Sequence, residues 1–172
     1  MTDRIAIERI IRKTLETCLY SVSDDLLQQV PVEARAHPAY ANGFPIWWPN
    51  LSFFDKKDQT KPPFYVRFSF HPAPPRIRTV GINPRSDLRG HAMIGCFVPE
   101  GDGEDAVDQL MNAVLAAYPL AGLNANRTPR GIFRREGFDT HIESVDPKPA
   151  FGSLGRYYRP VHINYSCRRV EP

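Results

Sequence analysis

No stretch of this sequence approaches the roughly 20 consecutive apolar residues that a membrane-spanning helix needs. Its first residues alternate charge with isoleucine, so no secretory apolar region is expected either. Cysteine is scarce: Cys18, Cys96 and Cys167 are far apart and odd in number, which supports no disulfide framework and points to a reducing, intracellular folding compartment. Without secretion, the sequons Asn126-Arg127-Thr128 and Asn164-Tyr165-Ser166 are chance spellings. Excess charge is missing as well. Lys and Arg number 22 against 19 Asp and Glu, a net charge of +3, short of the dense basic stripe that grips nucleic-acid phosphates. Internal repeats and low-complexity tracts are absent.

Proline is what the chain has in excess. Many of its 17 prolines, among them Pro31, Pro45, Pro62, Pro63, Pro72, Pro74 and Pro75, fall between periodic segments, which suggests short ordered pieces joined by stiff connections. With 172 residues and 42% hydrophobic content, the sequence is long and apolar enough for one domain, residues 1–172, with its own core.

Residues 3–19 predict an amphipathic helix, with Ile7, Ile10, Ile11, Thr14, Leu15 and Cys18 on one stripe and Thr2 or Asp3 as the cap. A short turn around Asp24–Gln29 follows, then an aperiodic loop or edge segment over 31–44. Strand texture begins at Ile46–Leu51, with Pro49 marking an edge or bulge. After a polar excursion at Asp55–Lys61, Phe64, Val66, Phe68 and Phe70 alternate with Tyr65, Arg67, Ser69 and His71. Short alternation over 76–82 precedes a longer strand over 88–98, where Ala92, Ile94, Cys96 and Val98 oppose His91, Met93, Gly95 and Phe97. A turn at Pro99–Gly103 opens a second helix over 104–118, whose broad apolar arc suggests a second packing surface. Strands are predicted again at 132–135, 138–145 and 157–170, with a turn at Gly137 and a Pro- and Gly-containing loop over 147–155. Strands in runs, not alternating with helices, predict an α+β fold: a small, mainly antiparallel sheet with two main helices packed on one face.

Several motifs tempt a catalytic reading. Gly101-Asp102-Gly103-Glu104-Asp105-Ala106 spells a dinucleotide fingerprint. Four carboxylates (Glu100, Asp102, Glu104, Asp105) would repel a pyrophosphate there, and the acidic residue needed about 20 positions on is missing. The plainer reading is a turn before a helix whose dipole the acids offset. His91 with Cys96, and His162 with Cys167, invite a metal site, but odd spacing on a strand sends each pair to opposite faces. No nucleophile elbow exists, and each cysteine lies in an apolar run. Asp139, His141 and Glu143 alternate along one strand face, an acid–histidine cluster that also reads as ordinary exposed polarity. No cofactor is implied. Arginines concentrate late, at Arg127, Arg130, Arg134, Arg135, Arg156, Arg159, Arg168 and Arg169, and suit carboxylate pairing at a protein interface. The aromatic interleaving of a single-strand binder is not visible beside them. Trp47, Trp48, Phe53 and Phe54 crowd near Pro49 as core or as a sticky edge.

One further pattern spans most of the chain. It runs through Trp48-Pro49-Asn50-Leu51-Ser52-Phe53, Pro63-Phe64-Tyr65-Val66-Arg67, Gly90 with its alternating strand, Pro99–Gly103, a helix from Glu104 and Tyr118-Pro119. This succession resembles the tail terminators of long-tailed bacteriophages, the phage lambda tail-terminator type. The resemblance implies a structural virion protein with no enzymatic activity. It implies a ring, typically of six copies, that caps the completed tail tube, ends its polymerisation and offers the head-joining surface. The implied partners are further copies of the chain, the tail tube protein and the head–tail connector (stopper) protein, with DNA only as cargo passing through the lumen and no membrane. Assembly would take place in the host cytoplasm.

Such a ring needs two different matching patches on each subunit. Candidate contacts are Trp47, Trp48, Met111, Leu115, Arg127, Arg130, Arg134 and Arg135, with contact loops near 55–63, 121–131 and 147–156. Two alternatives stand beside this reading. One is another head–tail connector or completion protein, recognisable by salt-sensitive DNA binding. The other is a small enzyme using the Asp139, His141 and Glu143 face.

Overall fold

The computed structural model describes residues 4–48, 61–74, 76–77, 86–153 and 155–170. Helical spacing of apolar residues produces α1 (Arg4–Ser21), which buries Ile10, Ile11, Thr14, Leu15, Cys18 and Leu19. Thr14 is tolerated on that stripe because its hydroxyl donates to the Ile10 carbonyl at 2.9 Å, so burial leaves it satisfied. The cap expected at Thr2 or Asp3 lies outside the described residues. A short break leads to α2 (Ser23–Gln28), with Asp24 and Asp25 in its first turn, where negative charge suits the helix dipole.

Residues 31–44 are more ordered than their aperiodic sequence predicts. They form two 3-10 turns, Ala34–Ala36 and Pro38–Tyr40, and bury Tyr40 and Phe44. Local turn bonds and a contact distant in sequence both hold this segment. The Tyr40 hydroxyl donates to the Phe64 carbonyl and accepts from the Phe64 N–H, both at 2.9 Å.

The strands among the described residues are β1 (Ile46–Trp47), β2 (Tyr65–Pro72), β3 (Arg76–Ile77), β4 (Ser86–Pro99), β5 (Gly122–Leu123), β6 (Pro129–Arg130), β7 (Ile132–Arg135), β8 (Phe138–Pro147), β9 (Phe151–Ser153) and β10 (Arg156–Arg169). Of the strand predicted at Ile46–Leu51, β1 is described and residues 49–51 lie outside the described residues; of the run predicted over 76–82, β3 is described and residues 78–82 lie outside them. Pro49, Phe53, Phe54 and positions 55–60 of the polar excursion lie outside the described residues. The main sheet runs β1-β2-β4-β10-β8-β7, with β3 against β4 and β9 against β10. Among the described residues only β1 on β2 is parallel, and every other pairing is antiparallel. The centre is the long β4–β10 pair, in register from Arg156 opposite Pro99 to Cys167 opposite Leu88.

Alternation decides what each face buries. Val66 and Phe68 of β2, Ala92, Ile94, Cys96 and Val98 of β4, and Val161, Ile163, Tyr165 and Cys167 of β10 all enter the core. A fully buried Ile or Phe contributes roughly 1.5–3 kcal/mol. The helix α3 (Gly103–Ala116) lies against β4 and β10, and α1 packs on β2 and β7. The broad apolar arc of α3 finds its second surface within the chain, since α2 also packs on it. Tyr118 closes this layer by donating its buried hydroxyl to the Leu15 carbonyl at 2.7 Å, joining the end of α3 to α1.

Two local features shape the far side of the sheet. Glu136 and Gly137 both take positive φ, 50° and 78°, which gives the two-residue β7–β8 hairpin the turn its strand twist favours. In β8 the register against β10 shifts between Asn164 and Tyr165, so Glu143 is the extra residue of a bulge.

A candidate assembly surface

The helices cover one face of the sheet. On the other face, rings from four strands line up. Trp47 approaches Tyr65 at 6.5 Å, Tyr65 stacks on Phe97 at 4.5 Å, and Phe97 stacks on Tyr158 at 4.6 Å. Arg67 lies 5.1 Å over the Trp47 ring and Arg156 lies 5.3 Å over the Tyr65 ring, so both cations are held against aromatic faces. Arginine and aromatic side chains are therefore interleaved here, contrary to the sequence expectation, because residues as far apart in sequence as Tyr65 and Arg156 meet across the sheet. The ladder does not make a base-stacking platform. Its rings lie face to face with each other and Tyr65 is only 5% exposed, so few ring faces remain for a nucleotide.

A second row on this face holds histidines. His71 stacks on His91 at 4.8 Å and His91 on His162 at 5.7 Å. Burial, followed by the charges of His71 and His162, holds the His91 imidazole below its ordinary value. As the odd spacing predicts, the paired cysteines are on the opposite side. Cys96 and Cys167 are buried in the core, and desolvation pushes the Cys96 thiol up to about 12. Cys18 is likewise buried and pushed up to about 11 by desolvation, so neither thiol supplies a thiolate near neutral pH. Among the described residues, no group of three or more His, Cys, Asp or Glu side chains is placed to hold a metal ion.

The nucleotide-like spelling resolves as a turn. Glu100–Asp102 form a 3-10 segment, Gly103 takes φ 77°, and α3 begins there with Glu104 and Asp105 exposed in its first turn. The acid–histidine cluster is divided among other partners. Arg134 donates to Asp139 at 2.9 and 3.3 Å, and those hydrogen bonds hold the Asp139 carboxyl below its ordinary value. Glu143, displaced by the bulge, instead accepts from the buried Ser166 hydroxyl. Neither carboxylate bonds to His141, so no acid–histidine dyad forms among these three.

The arginines fall into two groups. Arg159 donates to Asp108 of α3 and to the Lys148 carbonyl, and Arg156 donates to the Pro63 carbonyl at 2.7 Å. Arg135 reaches Thr17 of α1 at 3.4 Å. These are internal fasteners. Arg127 and Arg130 are different: they stand on a small hairpin, β5 with β6, whose residues 120–130 are all exposed. The predicted contact loop at 121–131 is thus a preformed structure. Asn124 orders its tip, its side-chain oxygen accepting from the Asn126 and Thr128 N–H groups at 3.0 and 2.8 Å. Gly131 anchors its base: Ala121 N–H donates to the Ile142 carbonyl, and Ile142 N–H donates to that of Gly131. Any Cβ at Gly131 would meet the Pro119 carbonyl oxygen at 2.3 Å.

A family model for the phage tail terminator protein matches residues 29–165. The chain belongs to that family. One solved protein structure, 18% identical and matching 90% of this chain and 96% of the other, superposes with a TM-score of 0.55, a likeness of fold. A second match is to "Virion of native gene transfer agent (GTA) particle", 13% identical over 86% of this chain and 92% of the other, at a TM-score of 0.34 too low to carry an argument. No curated protein matches the chain.

Family membership makes this tail terminator a structural component of the virion tail and points away from a catalytic role. The matched region begins after α1 and α2, so of the helices that roof the core α3 lies inside it and those two outside. Among the sequence candidates, Met111 is 7% exposed and belongs to the chain's own core, and Leu115 is packed partly against it. Trp48 packs on Phe68 and, with Arg135, Lys13, Glu16, Thr17 and Tyr20, borders an open groove beside α1. Arg134 is exposed but held by Asp139. The sequence did carry a signal for the aromatic ladder: Tyr65 and Phe97 fall on the faces opposite the core residues, where polar side chains are the norm.

Proposed function

We propose that this tail terminator closes into a six-membered ring on the completed tail tube, ends tube polymerisation and presents the surface to which the filled head attaches. The family match over residues 29–165 carries this reading. In it the chain acts as one domain, and its partners are further copies of itself, the tail tube protein and the head–tail connector (stopper) protein, with DNA passing through the lumen as cargo. It works at the head-proximal end of the tail after assembly in the host cytoplasm.

The distribution of polar groups supports a scaffold that meets other chains. The core is complete within one chain, whereas exposed apolar residues such as Leu120, Leu123 and Phe151 sit on the periphery. Ring closure requires a heterologous contact, in which one patch of each subunit meets a different patch of the next.

The test is the mass of the purified protein by light scattering across a concentration series, alone and with tail tubes. A species of six subunits, or monomers that become rings on tubes, supports the reading. A strict monomer that neither closes nor binds tubes refutes it. Tight, steeply salt-dependent DNA binding by such a monomer would favour a DNA-contacting connector instead.

A further inference from the structure

We infer that the β5–β6 hairpin docks on the N-terminal end of α3 in a neighbouring copy of the chain, forming the head-to-tail contact of the ring. The inference rests on the ring reading above and names the surface that reading leaves open.

The two patches have opposite charge. Between Pro119 and Gly131 the only charged residues are Arg127 and Arg130. Both are exposed, and no ion pair engages either one among the described residues. From Pro99 to Leu110 the only charged residues are acidic. Asp108 is taken by Arg159, whereas Glu100, Asp102, Glu104 and Asp105 are exposed and unengaged among the described residues.

Each patch also carries apolar surface. Leu120 and Leu123 on the hairpin are 48% and 59% exposed, and Phe151, at the acidic end of the sheet, is 53% exposed. Apolar anchors flanked by complementary charge are what protein interfaces use. The hairpin is already ordered by Asn124 and rooted at Gly131, so docking would require little further ordering.

The patches cannot meet within one chain. They lie beyond opposite ends of α3, whose 14 residues span about 21 Å. The strands agree. The acidic turn sits at the Arg156–Pro99 end of β10, with Glu100 N–H donating to the Gly155 carbonyl, and the hairpin is rooted at Ile142, opposite Tyr165. Nine residues of strand separate those positions, roughly 30 Å. Two complementary patches at opposite ends of one subunit generate a head-to-tail contact, and closure of that contact gives a ring.

The experiment reverses charge on each side separately and then on both. The variant R127E/R130E and the variant E100K/D102K should each lose assembly, with the assembly midpoint moving at least about tenfold higher in concentration. The fourfold variant R127E/R130E/E100K/D102K restores opposite charge and should recover the wild-type mass by light scattering. All substituted side chains are exposed, and unchanged circular dichroism melts confirm that the subunits are folded. E100Q/D102N provides a milder acidic-side variant, which should show a smaller shift in the same direction. Single-side variants that assemble as the wild type does would overturn this contact while leaving the ring reading intact, and so would a fourfold variant that fails to recover. A wild-type chain that remains monomeric on tail tubes would overturn both.

Discussion

Replacing Tyr40 with phenylalanine removes one oxygen atom and tests how the segment before the sheet is held. The Tyr40 hydroxyl satisfies both backbone groups of Phe64, whose side chain is 1% exposed. The phenylalanine ring still fills the same space, so hydrophobic burial is nearly unchanged. What changes is that a buried N–H and a buried carbonyl lose their partner, at about 1–3 kcal/mol each. Partial relaxation around the two groups offsets part of this, which gives a net loss of about 2–4 kcal/mol. For a chain of this size that lowers the melting temperature by roughly 5–12 °C. Urea unfolding at fixed protein concentration should show a lower midpoint with unchanged slope. A loss below about 0.5 kcal/mol would refute the reasoning, because it would mean Phe64 finds other partners at no cost.

The same residue makes an alkaline prediction. Burial pushes the Tyr40 hydroxyl up to about 12 from 10.0, with the Phe64 backbone hydrogen bond and the Arg156 charge pulling the other way. A raised value in the folded state means that the unfolded chain releases this proton first as pH rises. The Tyr40 contribution is therefore complete below about pH 10 and is lost as pH climbs toward about 12. Tyr40→Phe should flatten the stability curve in that window and leave it unchanged in shape near neutrality.

Gly95→Val would put a Cβ 2.4 Å from the Tyr158 ring and 2.9 Å from the Phe97 ring. The ladder must shift, at about 1–3 kcal/mol, and near-ultraviolet circular dichroism should lose aromatic signal with little change in the far ultraviolet. Met111→Glu places a carboxylate in the core beside α3, so the subunit itself should melt at a markedly lower temperature, and any loss of assembly in that variant reports on folding. Arg159→Gln breaks the tie from β10 to Asp108 of α3 and should cost about 1–3 kcal/mol in urea unfolding. Asp108→Asn alone should cost less, since Arg159 keeps its bond to the Lys148 carbonyl, and it should add no further loss to Arg159→Gln, in which the ion pair is already gone.

Much of this architecture is legible in the sequence. Alternation along 64–70, 88–98 and 157–170 gives the sides of the three central strands, because a strand buried on one face must repeat every second residue. Helical spacing places α1 and α3 to within two residues. Where local pattern is silent, the prediction fails for identifiable reasons. The order of 31–44 draws on local turn bonds and on one hydroxyl reaching Phe64, 24 residues away, and no periodicity encodes that. The strand-like look of β1 is visible, but its parallel pairing with β2 is not. The hairpin inside 121–131 is only two residues on each side, too short for alternation to register, and it is specified instead by Asn124 and by the close approach at Gly131.

The sequence by itself thus determined the α+β class, the core faces of the strands and the separation of each histidine from its neighbouring cysteine, since all of these follow from the fixed direction of successive side chains. Family membership was also legible in its succession of turns and strands. Only the tertiary structure decided which charges remain available. Pairing across the sheet engages Arg134, Arg156 and Arg159 and stacks Tyr65, Phe97 and Tyr158 on one another. It leaves Arg127 and Arg130 at one end and Glu100 to Asp105 at the other. Which residues meet in space is set by strand order and register, and those are properties of the whole chain, not of any local window.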